Sequence, residues 1–167
     1  MEENLHILFV CTGNTCRSVI AQGLFQKMWN GIGDKRINVK ACSAGVSALS
    51  GIGASPDALE ILREEDVDLS GHFSRQINAG MVHKASYIYT MTEEQKNFLL
   101  ASFPEAAGKI FLLQEVLGGR EKKDIPDPIG KGIEHYRAVA REIKKALAII
   151  IESILSMQAE DKPGNNN

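Results

Sequence analysis

The 167-residue sequence has little of what disulfide-stapled or nucleic-acid-binding proteins need. It has only three cysteines, an odd number without repeated spacing, which argues against a secreted disulfide scaffold. Its formal net charge is −2, so no global positive field attracts nucleic acid or anionic lipid. The composition, 44% hydrophobic and 24% charged, is that of an ordinary globular protein of one domain.

Long apolar runs and a basic N-terminus are also missing. The most apolar stretch, residues 146–155, is interrupted by Glu152 and is too short to span a bilayer. The N-terminus is acidic, whereas a secretory signal begins with basic residues and continues into a longer apolar region. We therefore expect a cytoplasmic protein with reduced thiols and with neither membrane nor nucleic-acid partners.

Apolar segments of two kinds alternate along the chain. A nearly continuous apolar run at residues 5–10 predicts a buried strand, and helical spacing of apolar residues after Arg17 predicts a helix that ends at Asn30-Gly31. The same patterns predict strands at 37–42, 87–91 and 109–113, and helices that open at Ser55-Pro56 and at Thr92. A short helical segment is predicted near 76–81 and a long helix at about 133–157.

Strands that alternate with helices predict a parallel, doubly wound α/β sheet, whose ligand site lies at the carboxyl ends of the strands. We expect one domain over residues 1–157. A polar tail over residues 158–167 is expected to be disordered.

The segment between the first strand and the first helix carries the chemistry, and it reads Cys11-Thr12-Gly13-Asn14-Thr15-Cys16-Arg17-Ser18. Consecutive backbone N–H groups and a helix N-terminus at such a position form a cradle for an anion. Arg17 can hold two phosphate oxygens with its planar fork, and an arginine at a helix start opposes the helix dipole unless an anion is bound. The same positive field favours a nucleophilic thiolate at Cys11, to which Ser18 can donate a hydrogen bond.

The bare Cys-x5-Arg spacing is weak evidence, because three Cys and seven Arg give it by chance roughly one time in eight. The full string, placed between a strand and a helix, resembles the signature loop of low-molecular-weight protein-tyrosine phosphatases. The resemblance continues over most of the chain, at Ser43-Ala44-Gly45, at Gly71-His72-Phe73-Ser74-Arg75-Gln76 and at Asp127-Pro128.

This resemblance implies a three-layer α/β/α domain with a four-stranded parallel sheet and a phosphate-binding loop after the first strand. It implies Cys11 as the nucleophile, Arg17 as the phosphate clamp and Asp127 as the general acid, without a metal or other cofactor. It also implies a buried polar network of Asn14, Ser43 and His72 that supports the loop.

The implied reaction has two steps. Cys11 attacks phosphorus while Asp127 protonates the leaving group, and Asp127 then deprotonates the water that hydrolyses the cysteinyl-phosphate. Cys16 lies close enough in the chain to form a reversible disulfide with Cys11, which would protect the nucleophile from over-oxidation.

The residues at two places bear on the substrate, which we expect to be a phosphorylated protein. Tyrosine-specific members of the family usually have an aliphatic residue where Thr15 stands and aromatic residues where Ile129-Gly130 stand. The string Thr-Cys-Arg-Ser, the Asp-Pro-x-Gly and the pair Met91-Thr92 resemble the protein-arginine phosphatase branch. Protein phosphoarginine is the leading hypothesis, phosphotyrosine is the alternative, and a monomer is expected.

Other interpretations stay open on the sequence. Cys11 could be a core thiol, or Cys11, Cys16, Cys42 and His72 could bind zinc. Asp127 could be an ordinary turn residue with Asp124 as a rival acid, and His72 could be a base. An arsenate reductase shares the loop but uses later cysteines, and this chain has none after Cys42. A non-catalytic phosphopeptide-binding module would need the cradle without Cys11.

An apolar stripe on the last helix could pack on the sheet or support self-association.

Overall fold

A computed structural model describes residues 3–33, 36–119 and 123–160. Four strands form one sheet: β1 (Glu3–Cys11), β2 (Ile37–Gly45), β3 (Tyr87–Thr90) and β4 (Ile110–Leu112). The sheet order is β2-β1-β3-β4 and every pairing is parallel, so the predicted four-stranded parallel sheet is confirmed. Within these described ranges, five α-helices surround it: α1 (Arg17–Asn30), α2 (Pro56–Glu64), α3 (Ala79–Lys84), α4 (Glu93–Ser102) and α5 (Ile133–Glu160).

The helices cover both faces of the sheet. Alternate residues of β1 point to opposite faces, so Ile7 and Phe9 join one apolar cluster whereas Leu8 and Val10 join another. The first cluster includes buried residues of α1, α2 and α5, and the second includes buried residues of α3 and α4. The chain is thus a three-layer α/β/α domain, as the family resemblance implied.

Two helix starts follow directly from capping chemistry. The Ser55 side chain accepts a hydrogen bond from the Ala58 N–H, and Pro56 occupies the first helical position of α2. At α4, Thr92 and Gln95 form a reciprocal capping box. Both helices therefore begin where the sequence predicts.

The short helix lies elsewhere than predicted. It spans Ala79–Lys84 rather than residues 76–81, because Asn78 caps it by accepting from the Met81 N–H. Gln76 instead bridges to the end of β2: its side chain donates to the Val46 carbonyl oxygen and accepts from the Ala48 N–H. These hydrogen bonds to a segment about 30 residues away outweigh the local helical pattern at Gln76.

The last helix is longer than predicted and lies against the sheet. It extends to Glu160, three residues beyond the predicted helix end at residue 157, and residues 161–167 lie outside the described part of the chain. The apolar stripe that left self-association open is buried within the domain, at Ile143, Leu147, Ile150 and Ile154. None of the helices within the described ranges combines the length and the hydropathy that crossing a bilayer requires.

Candidate active site

The loop between β1 and α1 holds its carbonyl groups outward. The Cys11 and Thr12 carbonyl oxygens accept from the N–H groups of Val46 and Ser47, and the Thr15 carbonyl oxygen accepts from Ser55. Within the described residues, no backbone N–H of residues 12–16 donates to a protein acceptor. The loop amides are therefore available to an anion, as expected for a phosphate cradle.

Asn14 turns the chain inside this loop. Its φ of 56° lies in the left-handed region, which asparagine tolerates better than most residues do. Its side-chain Oδ1 accepts from the Arg75 N–H, so its Nδ2 must serve as the donor to the Ser18 hydroxyl oxygen, 2.9 Å away. Asn14 is fully buried, and these two bonds satisfy both ends of its amide.

Cys11 lies at the bottom of the cradle, at the carboxyl end of β1. Its sulfur is 2.9 Å from the Ser18 hydroxyl oxygen. An ionised sulfur can only accept, so the Ser18 hydroxyl, which itself accepts from Asn14, donates to Cys11 and stabilises it when Cys11 is a thiolate. Cys11 and Cys16 are both buried free thiols.

His72 and Ser43, the predicted supports of the loop, lie in different networks. The His72 Nε2 is 2.9 Å from the Asn14 carbonyl oxygen, an acceptor only, so this nitrogen carries the proton and is not a free base. The Ser43 hydroxyl donates instead to Gln22 Oε1, at 2.5 Å. Ser43 joins the loop only through its carbonyl oxygen, which accepts from Arg75. The expected side-chain network of Asn14, Ser43 and His72 is therefore incomplete: Arg75 links its parts.

Arg17 and Asp127 come together over the cradle. Arg17 is 6% exposed, and its Nη1 donates to the Ile125 carbonyl oxygen at 2.9 Å. Its Nη2 is 3.9 Å from Asp127 Oδ2, so the late Asp-Pro loop faces the predicted phosphate clamp. The Asp127 side chain is 51% exposed, and its Oδ1 accepts from the Ile129 N–H, which fixes the turn.

Asp124, the rival acid, serves another element. Its Oδ1 accepts from the Glu93 N–H in the first turn of α4, at 2.8 Å. That bond satisfies an N–H at a helix start and places the negative charge favourably in the dipole of α4. Arg120 and Lys122 of the same loop lie outside the described residues.

Two side chains that sequence reasoning did not assign to the site lie directly behind the loop. Tyr136 of α5 is buried, with its hydroxyl oxygen 3.3 Å from the Cys16 sulfur and 3.2 Å from the Ser55 hydroxyl. Burial, together with the hydrogen bond to Cys16, raises the pKa of Tyr136 to about 12. Its helical spacing to Val139, Ile143 and Leu147 was the signal that it faces the core.

Gln95 is the second of these side chains. Its Nε2 donates to the Thr12 hydroxyl at 3.1 Å, while its Oε1 accepts from the N–H groups of Met91 and Thr92. The capping box of α4 therefore also fixes one side of the phosphate loop. The Thr92-x-x-Gln95 spacing gave the cap but not the loop contact.

The four candidate zinc ligands do not converge. Cys16 contacts Tyr136 and Ser55, His72 contacts the Asn14 carbonyl oxygen, and the Cys42 thiol donates to the Ile7 carbonyl oxygen. In the part of the chain that the structure describes, no group of three or more metal-ligating side chains is assembled.

Comparison with known proteins gives consistent matches over nearly the whole chain. The family model described as low molecular weight phosphotyrosine protein phosphatase matches residues 6–160. A protein-arginine-phosphatase of Geobacillus stearothermophilus is 36% identical over 91% of this chain and 97% of its own length. A probable low molecular weight protein-tyrosine-phosphatase, EpsP of Ralstonia solanacearum, is also 36% identical, over 86% and 87% of the two chains.

The fold agrees with these sequence matches. The solved structure of the YwlE arginine phosphatase from Geobacillus stearothermophilus superposes with a TM-score of 0.86 at 34% identity. The superposition covers 96% of this chain and 99% of that one.

Proposed function

The chain belongs to the low-molecular-weight phosphotyrosine protein phosphatase family and is a cysteine-dependent phosphoprotein phosphatase, and we propose that it acts on proteins phosphorylated on arginine. The observation that carries this proposal is the pair of residues at the mouth of the site, Thr15 and Ile129. The match to a protein-arginine-phosphatase over 97% of that protein's length supports it.

In the proposed first step, the Cys11 thiolate attacks phosphorus and forms a sulfur–phosphorus bond as the bond to the leaving nitrogen breaks. The Arg17 guanidinium and the amides of residues 12–16 hold the equatorial oxygens. The Ser18 hydroxyl, 2.9 Å from the sulfur, stabilises the thiolate before attack. All of these groups belong to one continuous segment, residues 11–18.

Asp127 supplies the proton in this scheme. It protonates the leaving group, and its carboxylate then takes a proton from the water that attacks the cysteinyl-phosphate, which releases inorganic phosphate and restores the thiolate. Its position 3.9 Å from Arg17 and its half-exposed side chain support this role, because the acid must meet both the phosphoryl group and the solvent.

The mouth of the site supports a slender leaving group. The Thr15 hydroxyl oxygen is 3.6 Å from the Cys16 sulfur, within the loop, where it can contact a guanidinium or orient the attacking water. Ile129 follows the Asp-Pro pair, with 57% of its surface exposed, and Gly130 comes next. No aromatic wall at these positions is present to stack on a phenyl ring.

Phosphotyrosine is the second candidate. The match to a probable tyrosine phosphatase, EpsP, at the same 36% identity favours it. The two substrates share the nucleophile, the clamp and the acid, so only the mouth of the site separates them.

Turnover of a phosphoarginine protein and of a phosphotyrosine peptide tests the proposal, with the Cys11→Ser variant as the blank. We expect a higher kcat/KM for phosphoarginine, and Thr15→Ile is expected to shift the preference towards phosphotyrosine. Thr15→Ser, which keeps the hydroxyl, is the matched control and is expected to retain the preference. Equal preference in wild type and Thr15→Ile would reject the argument from Thr15.

We also propose that the enzyme works as a cytosolic monomer, on phosphorylated proteins, without a cofactor and without nucleic-acid or membrane partners. Three free thiols support a reducing compartment, and the burial of the α5 stripe within the domain supports a monomer. A sedimentation experiment at micromolar concentration measures the oligomeric state directly.

A further inference from the structure

A second polar groove lies at the edge of the sheet, on the face that α3 covers. His6 of β1 and Lys40 of β2 are partners in the parallel register, and Cys42 follows two residues later on the same face. Lys84 of α3 and Arg75 also line the groove, together with the uncharged residues Gln22, Ala41, Met81 and Ala85. The groove has a volume of about 230 Å³.

The groove is one-sided in charge. Three full cations and one histidine line it, whereas none of its described lining residues is acidic. In the part of the chain that the structure describes, neither Lys40 nor Lys84 has a carboxylate partner, and the Arg75 guanidinium bonds only to the Ser43 carbonyl oxygen. Acidic residues outnumber basic ones in this chain, 21 to 19, so a cluster of unneutralised cations is not a consequence of composition.

The positive charges of the groove influence the pKa values of His6 and Cys42. Burial and the positive charges of Lys84 and Lys40 lower the pKa of His6. Burial raises the pKa of the Cys42 thiol, and the charges of Arg75, Lys40 and Lys84 act in the opposite direction. The charges of Lys40 and Lys84 therefore act on both His6 and Cys42.

We propose that this groove is a second anion site, which binds a small ligand that bears a phosphate group. Lys40 and Lys84 would neutralise the charge, and Arg75 would add hydrogen bonds from its free N–H groups. The volume is below the roughly 300–1,000 Å³ of typical drug-sized ligand pockets, which fits a small anion better than a large cofactor.

The groove is separate from the phosphate loop, but Arg75 contacts both. The backbone N–H of Arg75 supports Asn14 in the loop, while its side chain faces the groove. Because Arg75 serves both places, the variants that test the groove leave it unchanged. The proposal does not depend on which phosphorylated side chain the catalytic site hydrolyses.

Amide chemical shifts of the full chain, titrated with inorganic phosphate, test the proposal residue by residue. We expect two saturable responses, one at Gly13 and Asn14 in the catalytic loop and one at Ala41 and Cys42 in the groove. The double variant Lys40→Gln/Lys84→Gln is expected to lose the second response and to keep the first, which also shows that it is folded. A parallel titration with a nucleoside diphosphate distinguishes free phosphate from a phosphate carried on a larger small molecule.

The matched control is Lys27→Gln/Lys145→Gln, which removes the same two charges from α1 and α5 and is expected to keep both responses. As an independent readout, bound phosphate is expected to raise the pKa of His6, because an anion favours the imidazolium. The proposal is overturned if sodium chloride at equal ionic strength reproduces the shifts at Ala41 and Cys42. It is overturned equally if those shifts do not saturate, or if they persist in Lys40→Gln/Lys84→Gln.

Discussion

The Ser18 hydroxyl oxygen lies 2.9 Å from the Cys11 sulfur and accepts from Asn14 Nδ2, so Ser18 is placed to donate to Cys11 when the sulfur is a thiolate. The Asn14 amide is oriented in turn by the Arg75 N–H. A series of hydrogen bonds therefore runs from Arg75 through Asn14 and Ser18 to Cys11, the candidate nucleophile. Each bond in this series has a defined donor, so removing that donor should have a defined effect on Cys11.

Ser18→Ala should lower kcat/KM by roughly 10- to 100-fold, because a hydrogen bond to a charged group contributes about 1.5–3 kcal/mol. The measurement is steady-state kinetics of both proteins at one fixed pH. Ser153→Ala, on the exposed face of α5, is the control and should match wild type. An unchanged kcat/KM in Ser18→Ala would remove Ser18 from the stabilisation of the Cys11 thiolate.

Asp127→Asn should lower kcat by about 10²- to 10⁴-fold, with the largest loss for substrates with poor leaving groups. Asp124→Asn provides the contrast, because its carboxylate serves α4 and not the cradle. It keeps an oxygen that can accept from the Glu93 N–H but removes the negative charge at the start of α4, so it should cost roughly 0.3–1 kcal/mol of unfolding free energy and leave kcat close to wild type. Steady-state kinetics and urea denaturation separate the two effects. If Asp124→Asn gave the larger loss of kcat, the acid would be misassigned.

Gly45→Ala should damage the phosphate loop although residue 45 carries no functional group. An added Cβ would lie 2.4 Å from the Thr12 carbonyl oxygen and 3.1 Å from the Asn14 nitrogen, both of them backbone atoms. We expect a loss of about 1–3 kcal/mol of stability or more, and a fall in kcat in the remaining folded protein. Thermal denaturation and kinetics check this expectation. Gly53→Ala meets no atom within 4 Å and should be near neutral.

Tyr136→Phe should reduce the sensitivity of the fold to alkaline pH. In the folded protein the pKa of Tyr136 is about 12, whereas its ordinary value is 10. Above pH 10 the unfolded chain thus loses this proton first, so Tyr136 makes stability fall as the pH rises from 10 to 12. Urea denaturation over this range should show a shallower decline in Tyr136→Phe. Burial raises the pKa of Tyr89 to about 12 as well, so the folded variant should keep a late phenolate titration with a smaller amplitude, and an unchanged amplitude would contradict the assignment.

The catalytic loop was predictable because it is local. Cys11, Arg17 and Ser18 are within seven residues of one another, and a strand followed by a tight turn and a helix brings them together in any surrounding fold. The capping box at Thr92 and the cap at Ser55 were predictable for the same reason. The choice between Asp124 and Asp127 needed either the family resemblance or the structure, since both lie in the same loop.

Other parts of the site depend on contacts between distant segments. Arg17 and Ile125 are 108 residues apart, and Cys16 and Tyr136 are 120 apart. The Ser43 side chain turns to Gln22 on α1 and not to the loop that it was expected to support. Local patterns report which face of an element is apolar, but they do not report which partner a polar side chain meets.

The sequence by itself determined the order of strands and helices, the parallel sheet and the phosphate loop at the end of β1, because hydrophobic periodicity, capping residues and turn residues act over short stretches of chain. Only the tertiary structure decided how the Asp127 loop meets Arg17, how Tyr136 and Gln95 brace the loop, and how cations from two strands, a helix and a loop form the groove beside Cys42. These arrangements depend on how the packed layers are placed relative to one another, and that placement is fixed by contacts across the whole domain.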